Sequence, residues 1–139
     1  MGQVTSRGPM TLFDVAQRGM SAQLVRMNAA SSNLANAGSV SGTEDGAYRP
    51  IRAVFAEQLD KRSGLSTVNV QSVMRENQHA IKEHNPDHPL ADENGDVWTA
   101  PVDENAEMVE MLDSARQYQN LVEALSTAKQ LMLDTMRLK

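Results

Sequence analysis

Apolar residues recur every seventh position near the start of the chain, at Phe13, Met20, Met27 and Leu34, with Leu24 and the small Ala16 and Ala30 between them. That spacing keeps one stripe of a helix turned toward a partner helix. It predicts a helix over residues 11–37, about 40 Å long at a rise of 1.5 Å per residue. Thr11 can cap it, Asp14 suits its positive end, and Gly38 supplies a left-handed stop. The flanks are also apolar or small, at Leu12, Val15, Ala22, Val25 and Ala29. A single partner helix would leave part of this surface in water.

A second long pattern closes the chain. Pro101 blocks an earlier helix and Asp103 can cap a later one. From there Met111, Ala115, Tyr118, Val122, Leu125, Met132 and Met136 follow spacings of four and three, interrupted by Lys129 at one position. Glu104, Glu107 and Glu110 near its start and Arg137 and Lys139 at its end match a helix dipole. The predicted helix is about 50 Å long.

Residues 39–102 change character. The stretch "SVSGTEDGAYRP" is rich in turn formers, whereas "IRAVFAEQL" and "LSTVNVQSVM" have strand composition, the second alternating through Val68, Val70 and Met74. Asn94-Gly95 is the signature of a two-residue hairpin. The fold class expected is α+β, mainly α. Residues 1–10 form an extension, 11–38 and 103–139 long helices paired as a coiled-coil-like inner segment, and 39–102 a β-rich module between them.

Composition sharpens this picture. Apolar residues make up 40% of 139 positions but only five are aromatic, so Leu, Val, Met and Ala must fill the core. Two helices this long cannot be covered by some 64 residues of polar insert, so their apolar faces must meet each other and then neighbours. The methionines at 20, 27, 108, 111, 132 and 136 fit an adaptable binding surface or an ordinary core equally well.

Net charge is −5, and it divides as +2 over residues 1–37, −5 over 38–103 and −2 over 104–139. No segment concentrates the positive charge that nucleic-acid binding requires. With no cysteine, disulfides and thiolate chemistry are excluded. No apolar run is long enough to span a membrane, and no cleavable secretory signal is evident. "MGQVTS" fits the myristoylation pattern through Gly2 and Ser6, a short and common match.

Candidate chemistry is thin. His79, His84 and His88 lie near Glu83, Asp87 and Asp92, but Pro86 and Pro89 prevent a shared helical face, so a solvated loop is the better reading than a metal site. Asp92, Asn94, Asp96 and Asp103 resemble calcium-loop spacing, yet Val97 stands where that loop needs glycine, and a hairpin turn fits better. No nucleophile motif or phosphate loop appears, so no enzyme activity and no cofactor are expected.

The two ends carry a more specific signal. "SSNLANAGSVSG" with "AYRPIRAVF" resembles the N-terminal signature of the flagellar rod and hook proteins, with Asn33 to Ala37 in its NLANA segment and Tyr48-Arg49 as its aromatic-basic pair. The last helix resembles the C-terminal helix of the same family through Glu107-Met108, Arg116, Tyr118, Gln119 and Asn120. "HPLADENGDVWTAPVD" is similar to a segment of the proximal-rod branch, departing at Asp96 and Pro101. The resemblance runs from Met10 to the C-terminus.

It implies a structural subunit of the basal-body proximal rod, a torque-transmitting shaft around the export channel. The implied partners are itself, other rod proteins, the junction protein between rod base and MS ring, and the flagellar type III export apparatus, which would carry the chain out without a cleaved signal to span the periplasm. Membrane insertion and nucleic acid are not implied. Packing and resemblance together place the assembly interface at Phe13, Met20, Leu24, Met27, Asn33, Leu34, Asn36, Met108, Met111, Tyr118, Gln119, Val122, Leu125, Met132 and Met136. Asn33 and Asn36 are read as register contacts, or else as caps of a fraying helix end. The competing reading is a small cytoplasmic helical adaptor or export chaperone.

Overall fold

The computed structural model describes residues 10–138, so all but the last residue of the 1–10 extension, and with it Gly2 and Ser6, lies outside the described residues. The order is α1 (Leu12–Ala35), β1 (Val40–Ser41), β2 (Ile51–Leu59), β3 (Ser66–Arg75), β4 (Ile81–His84), β5 (Asp96–Thr99) and α2 (Glu104–Arg137). The fold is α+β, with a helix at each end and antiparallel strands between.

Both helix starts are as read from the sequence. The Asp14 amide donates to Thr11 Oγ1 at 3.3 Å while the Thr11 amide donates to Asp14 Oδ2 at 3.0 Å, a reciprocal capping box. Asp103 caps α2 by accepting from the Ala106 amide. The end of α1 differs from expectation: the left-handed glycines among the described residues are Gly64 and Gly95, and Gly38 is not one of them. Asn36 ends the helix instead. Its side-chain amide donates to the Ser32 carbonyl at 2.9 Å and the Ala37 amide to the Leu34 carbonyl at 3.2 Å. These bonds satisfy carbonyls that a left-handed cap would otherwise have served.

Helix α1 is the hub, packing against α2 on one side and the β2–β3 hairpin on another. A Cβ on Gly19 would lie 3.0 Å from Leu121 Cδ1, and Arg26 bonds Glu110 at 2.8 Å and Asp113 at 3.1 Å. Residue numbers rise along one helix as they fall along the other, so the pair is antiparallel. On the α1 side the contact is made by small groups, with Ala22, Ala29 and Ala30 buried, and Ser114 is buried on α2. Each buried methyl contributes about 0.8 kcal/mol, less than a leucine would, but small side chains let the backbones approach.

The hairpin joins β2 to β3 in register from Ile51↔Arg75 to Leu59↔Ser66, with a bulge at Val54/Phe55. Its turn is organised by the Asp60 carboxylate, which accepts from the Ser63 hydroxyl at 2.8 Å, the Arg62 amide at 3.2 Å and, from outside the turn, the Met10 amide at 2.7 Å. These donors, the Met10 amide foremost, hold its pKa below the usual value. Gly64, at φ 72°, completes the turn.

The second sheet runs β1-β5-β4. Asn94-Gly95 does not form a two-residue hairpin here. β4 and β5 are joined by residues 85–95, which contain Pro86 and Pro89, neither able to donate to a ladder. The pair ends a tight turn in which the Gly95 amide donates to the Asp92 carbonyl at 3.0 Å and Gly95 takes φ 78°.

The core is thin. Among the described residues the buried apolar ones are Ala22, Ala29, Ala30, Ala47, Val97 and Ala100, while eighteen large apolar side chains stay exposed. A chain built this way leaves more apolar surface in water than a self-sufficient domain does.

Candidate assembly interface

Asn33 sits where α1 meets the hairpin and is fully buried. Its Nδ2 donates to the Ile51 carbonyl at 3.0 Å, and its Oδ1 accepts from the Ile51 amide at 2.9 Å and the Tyr48 hydroxyl at 2.7 Å. The amide thus pairs with Ile51 as a neighbouring strand would. Tyr48 also lies 3.0 Å from Ser32 Oγ, and the Arg75 guanidinium covers its ring at 5.5 Å. Asn33 and Tyr48 therefore act on the same strand end, and both polar side-chain atoms of Asn33 are bonded within the chain. Asn36 caps α1 and is half-buried.

The next residue of β2 reaches the other helix. Arg52 pairs through NH2 with Glu107 and through Nε with Glu76 at 2.7 Å. Glu107 is 1% exposed, and its Oε2 is buried without a hydrogen-bond partner. The bond to Glu107, reinforced by both carboxylate charges, raises the Arg52 pKa above its usual value, so the guanidinium stays charged. Ile51 and Arg52 together fasten the hairpin base to both helices.

Of the seam expected on α2, Met111, Tyr118 and Leu125 are half-buried while Val122, Met132 and Met136 are exposed, and on α1 the buried stripe is displaced from the expected one. On α2 the half-buried or buried positions Glu107, Met111, Ser114, Tyr118, Leu121, Leu125 and Ala128 follow fours and threes. Met111, Tyr118 and Leu125 of the expected set lie in that stripe. On α1 the stripe buried against α2 and the hairpin is Ala22, Ala29 and Asn33, with Ala30 beside it. At about 100° per residue, Met20, Met27 and Leu34 turn away from the hairpin side and stay half-buried, with Phe13 beside them and Leu24 41% exposed. Antiparallel pairing brings Leu34 level with Met108 and Met20 level with Val122, both of them exposed. The helix pair therefore has an apolar flank opposite the hairpin, drawn mostly from the predicted interface residues. Gln119 is exposed on α2.

Helix α2 also outruns its partner, with 34 residues against 24. The excess is about 15 Å at 1.5 Å per residue. Met132, four residues beyond Ala128, and Met136 continue the stripe that meets α1, but they are 52% and 69% exposed, as are Leu131 at 62% and Leu133 at 50%.

The histidines do not converge. His79 bonds Glu44, His88 accepts from the Leu90 amide, and His84 bonds Asp96 at 2.9 Å. Asp96 also pairs with Lys82 at 3.2 Å, and these two bonds, His84 first, lower its pKa. Asp92 Oδ1 accepts from the Asn94 and Asp96 amides, which is turn architecture. Among the described residues no group of three or more acidic or histidine side chains is placed to hold a metal ion. No described helix is long and apolar enough to cross a membrane.

Sequence comparison agrees with this geometry. Residues 13–42 match the family described as "Flagella basal body rod protein", and residues 94–138 match "Flagellar basal body rod FlgEFG protein C-terminal". These segments cover α1 with its cap and β5 with α2. The chain is 40% identical over 131 residues to the flagellar basal-body rod protein FlgC of Salmonella typhimurium, covering 93% of this chain and 96% of that one. It is 36% identical to the protein of that name from Yersinia enterocolitica, with the same coverage, and 31% identical to that from Agrobacterium fabrum, covering 89% and 90%. The thin core, the unburied helix flank and these matches lead to one conclusion: the chain belongs to the flagellar basal-body rod proteins, as a structural subunit and not an enzyme.

Proposed function

We propose that this chain is a proximal-rod subunit which polymerises helically with itself and with other rod proteins into a torque-transmitting shaft around the export channel. The observation that carries this reading is the apolar flank of the helix pair, Met20, Met27 and Leu34 beside Met108 and Val122, left open in the single chain. A shaft must resist twisting, and head-to-tail contacts that do not close into a ring generate a filament. In the rod the two helices form the coiled-coil-like inner segment, and the strands between them face outward. The flank and the exposed Met132 and Met136 supply the subunit contacts, while the α2 stripe through Met111, Tyr118 and Leu125 holds α1 of the same chain and Asn33 and Asn36 shape the end of α1 that presents the flank. The junction protein at the MS ring lies below. The type III apparatus delivers the chain to the periplasm without signal cleavage.

The test is a deletion strain complemented with this chain. Restored swimming, with the protein present in purified basal bodies, is the expected result. A chain that stays in the cytoplasm and never enters the basal body would identify an adaptor instead.

A further inference from the structure

The geometry points to a specific head-to-tail contact: the last turns of α2, residues 129–138, seat in the groove between α1 and α2 of a second copy, on the flank opposite the hairpin. This rests on the rod-subunit reading above and names the contact it leaves open. The bare turns continue the stripe that already holds α1, so they are built to pack on a helix, and α1 of their own chain starts too late to cover them. The flank that would receive them is another open helical surface among the described residues, lined by Met20, Met27, Leu34, Met108 and Val122. Its methionines repack readily around an incoming helix.

Charge fixes the direction. The start of α2 carries Asp103 and Glu104, and its last turns carry Lys129 and Arg137. None of the four has an ion pair among the described residues. By the helical spacing of about 100° per residue, Glu104 falls on the receiving flank, at the end where Leu34 and Met108 lie. A tail entering there brings Arg137 toward Glu104, and the basic end of one α2 meets the acidic end of the next. The donor and receiver surfaces are different, so the contact is heterologous and repeats without closing.

Because the chain has no cysteine, engineered pairs report the contact directly. Met136→Cys and Met108→Cys, carried on separate full-length chains and co-expressed in the complemented deletion strain, should form a disulfide-linked heterodimer in isolated basal bodies on mild oxidation. Neither variant alone should do so. Met132→Asp with Met136→Asp should abolish swimming while the purified subunit keeps its far-UV circular dichroism and Tm, and Met132→Leu with Met136→Leu should swim normally. Absence of the heterodimer in rods that contain both chains overturns the contact. So does normal swimming of the double aspartate variant, or a Met136→Cys cross-link to a cysteine at Val4 of the same chain, which would make the chain's own first residues the occupant. Failure of the unmodified chain to complement would instead defeat the rod-subunit reading.

Discussion

Replacing Asn33 by alanine tests how the hairpin is held. The substitution removes the donor to the Ile51 carbonyl and the acceptor for the Ile51 amide and the Tyr48 hydroxyl. Tyr48 keeps Ser32 Oγ at 3.0 Å, so its loss is cushioned. The two main-chain groups of Ile51 lose their side-chain partner beside a fully buried site, and each group left unsatisfied costs about 1–3 kcal/mol. The expected destabilisation is roughly 2–4 kcal/mol, against about 0.5–1 kcal/mol for Asn36→Ala, whose single bond to the Ser32 carbonyl lies within a half-exposed turn. Urea unfolding followed by circular dichroism gives both values. Amide exchange at Ile51 gives the location, which should accelerate in Asn33→Ala and stay unchanged in Asn36→Ala. A loss below about 0.5 kcal/mol for Asn33→Ala, with Ile51 exchange as in the parent, would refute the reasoning.

Other positions give independent checks. Glu107→Ala strips Arg52 of its buried partner and should cost about 3 kcal/mol, at the low end for a broken buried pair because Arg52 is 40% exposed; hydrogen exchange in residues 51–75 should rise more than in α1. Gly64→Ala, forced into φ 72°, should cost about 1 kcal/mol, read as a shift in the unfolding midpoint. The pKa of Asp96 is lowered in the folded chain, so its contribution is full above the ordinary aspartate pKa of about 3.9 and is lost as pH falls through the lower folded value. Protection of the amides in residues 92–99, measured relative to their intrinsic exchange rates at each pH, should therefore fall on acidification into that range, and Asp96→Asn should flatten the dependence.

Local signals were legible and distant ones were not. Both N-caps follow from Thr11, Asp14 and Asp103, and the strands fall at 51–59 and 66–75 against the composition read at 51–59 and 65–74. The α2 stripe was readable because its contact residues include bulky ones, Met111, Tyr118 and Leu125. The α1 stripe was misplaced because a search for large apolar side chains passes over Gly19, Ala22 and Ala29, through which the helices approach. Gly38 looked like a helix stop, but Asn36 had already satisfied the last carbonyls. The Asn33 partners lie 15 and 18 residues away and the Arg52–Glu107 pair spans 55, distances at which no periodicity reports contact. Glu107 near a helix start reads as an ordinary dipole acid; only the fold reveals that it is buried.

The unequal lengths of the two helices give the subunit a polarity. At one end α1 closes on Asn36 and α2 opens on Asp103, both tied to the strands; at the other, α2 runs on bare. A head-to-tail stack of such subunits has a top that differs chemically from its bottom, and no twofold rotation perpendicular to its long axis makes them alike. In the filament proposed above, the two ends would therefore offer different surfaces to whatever binds them.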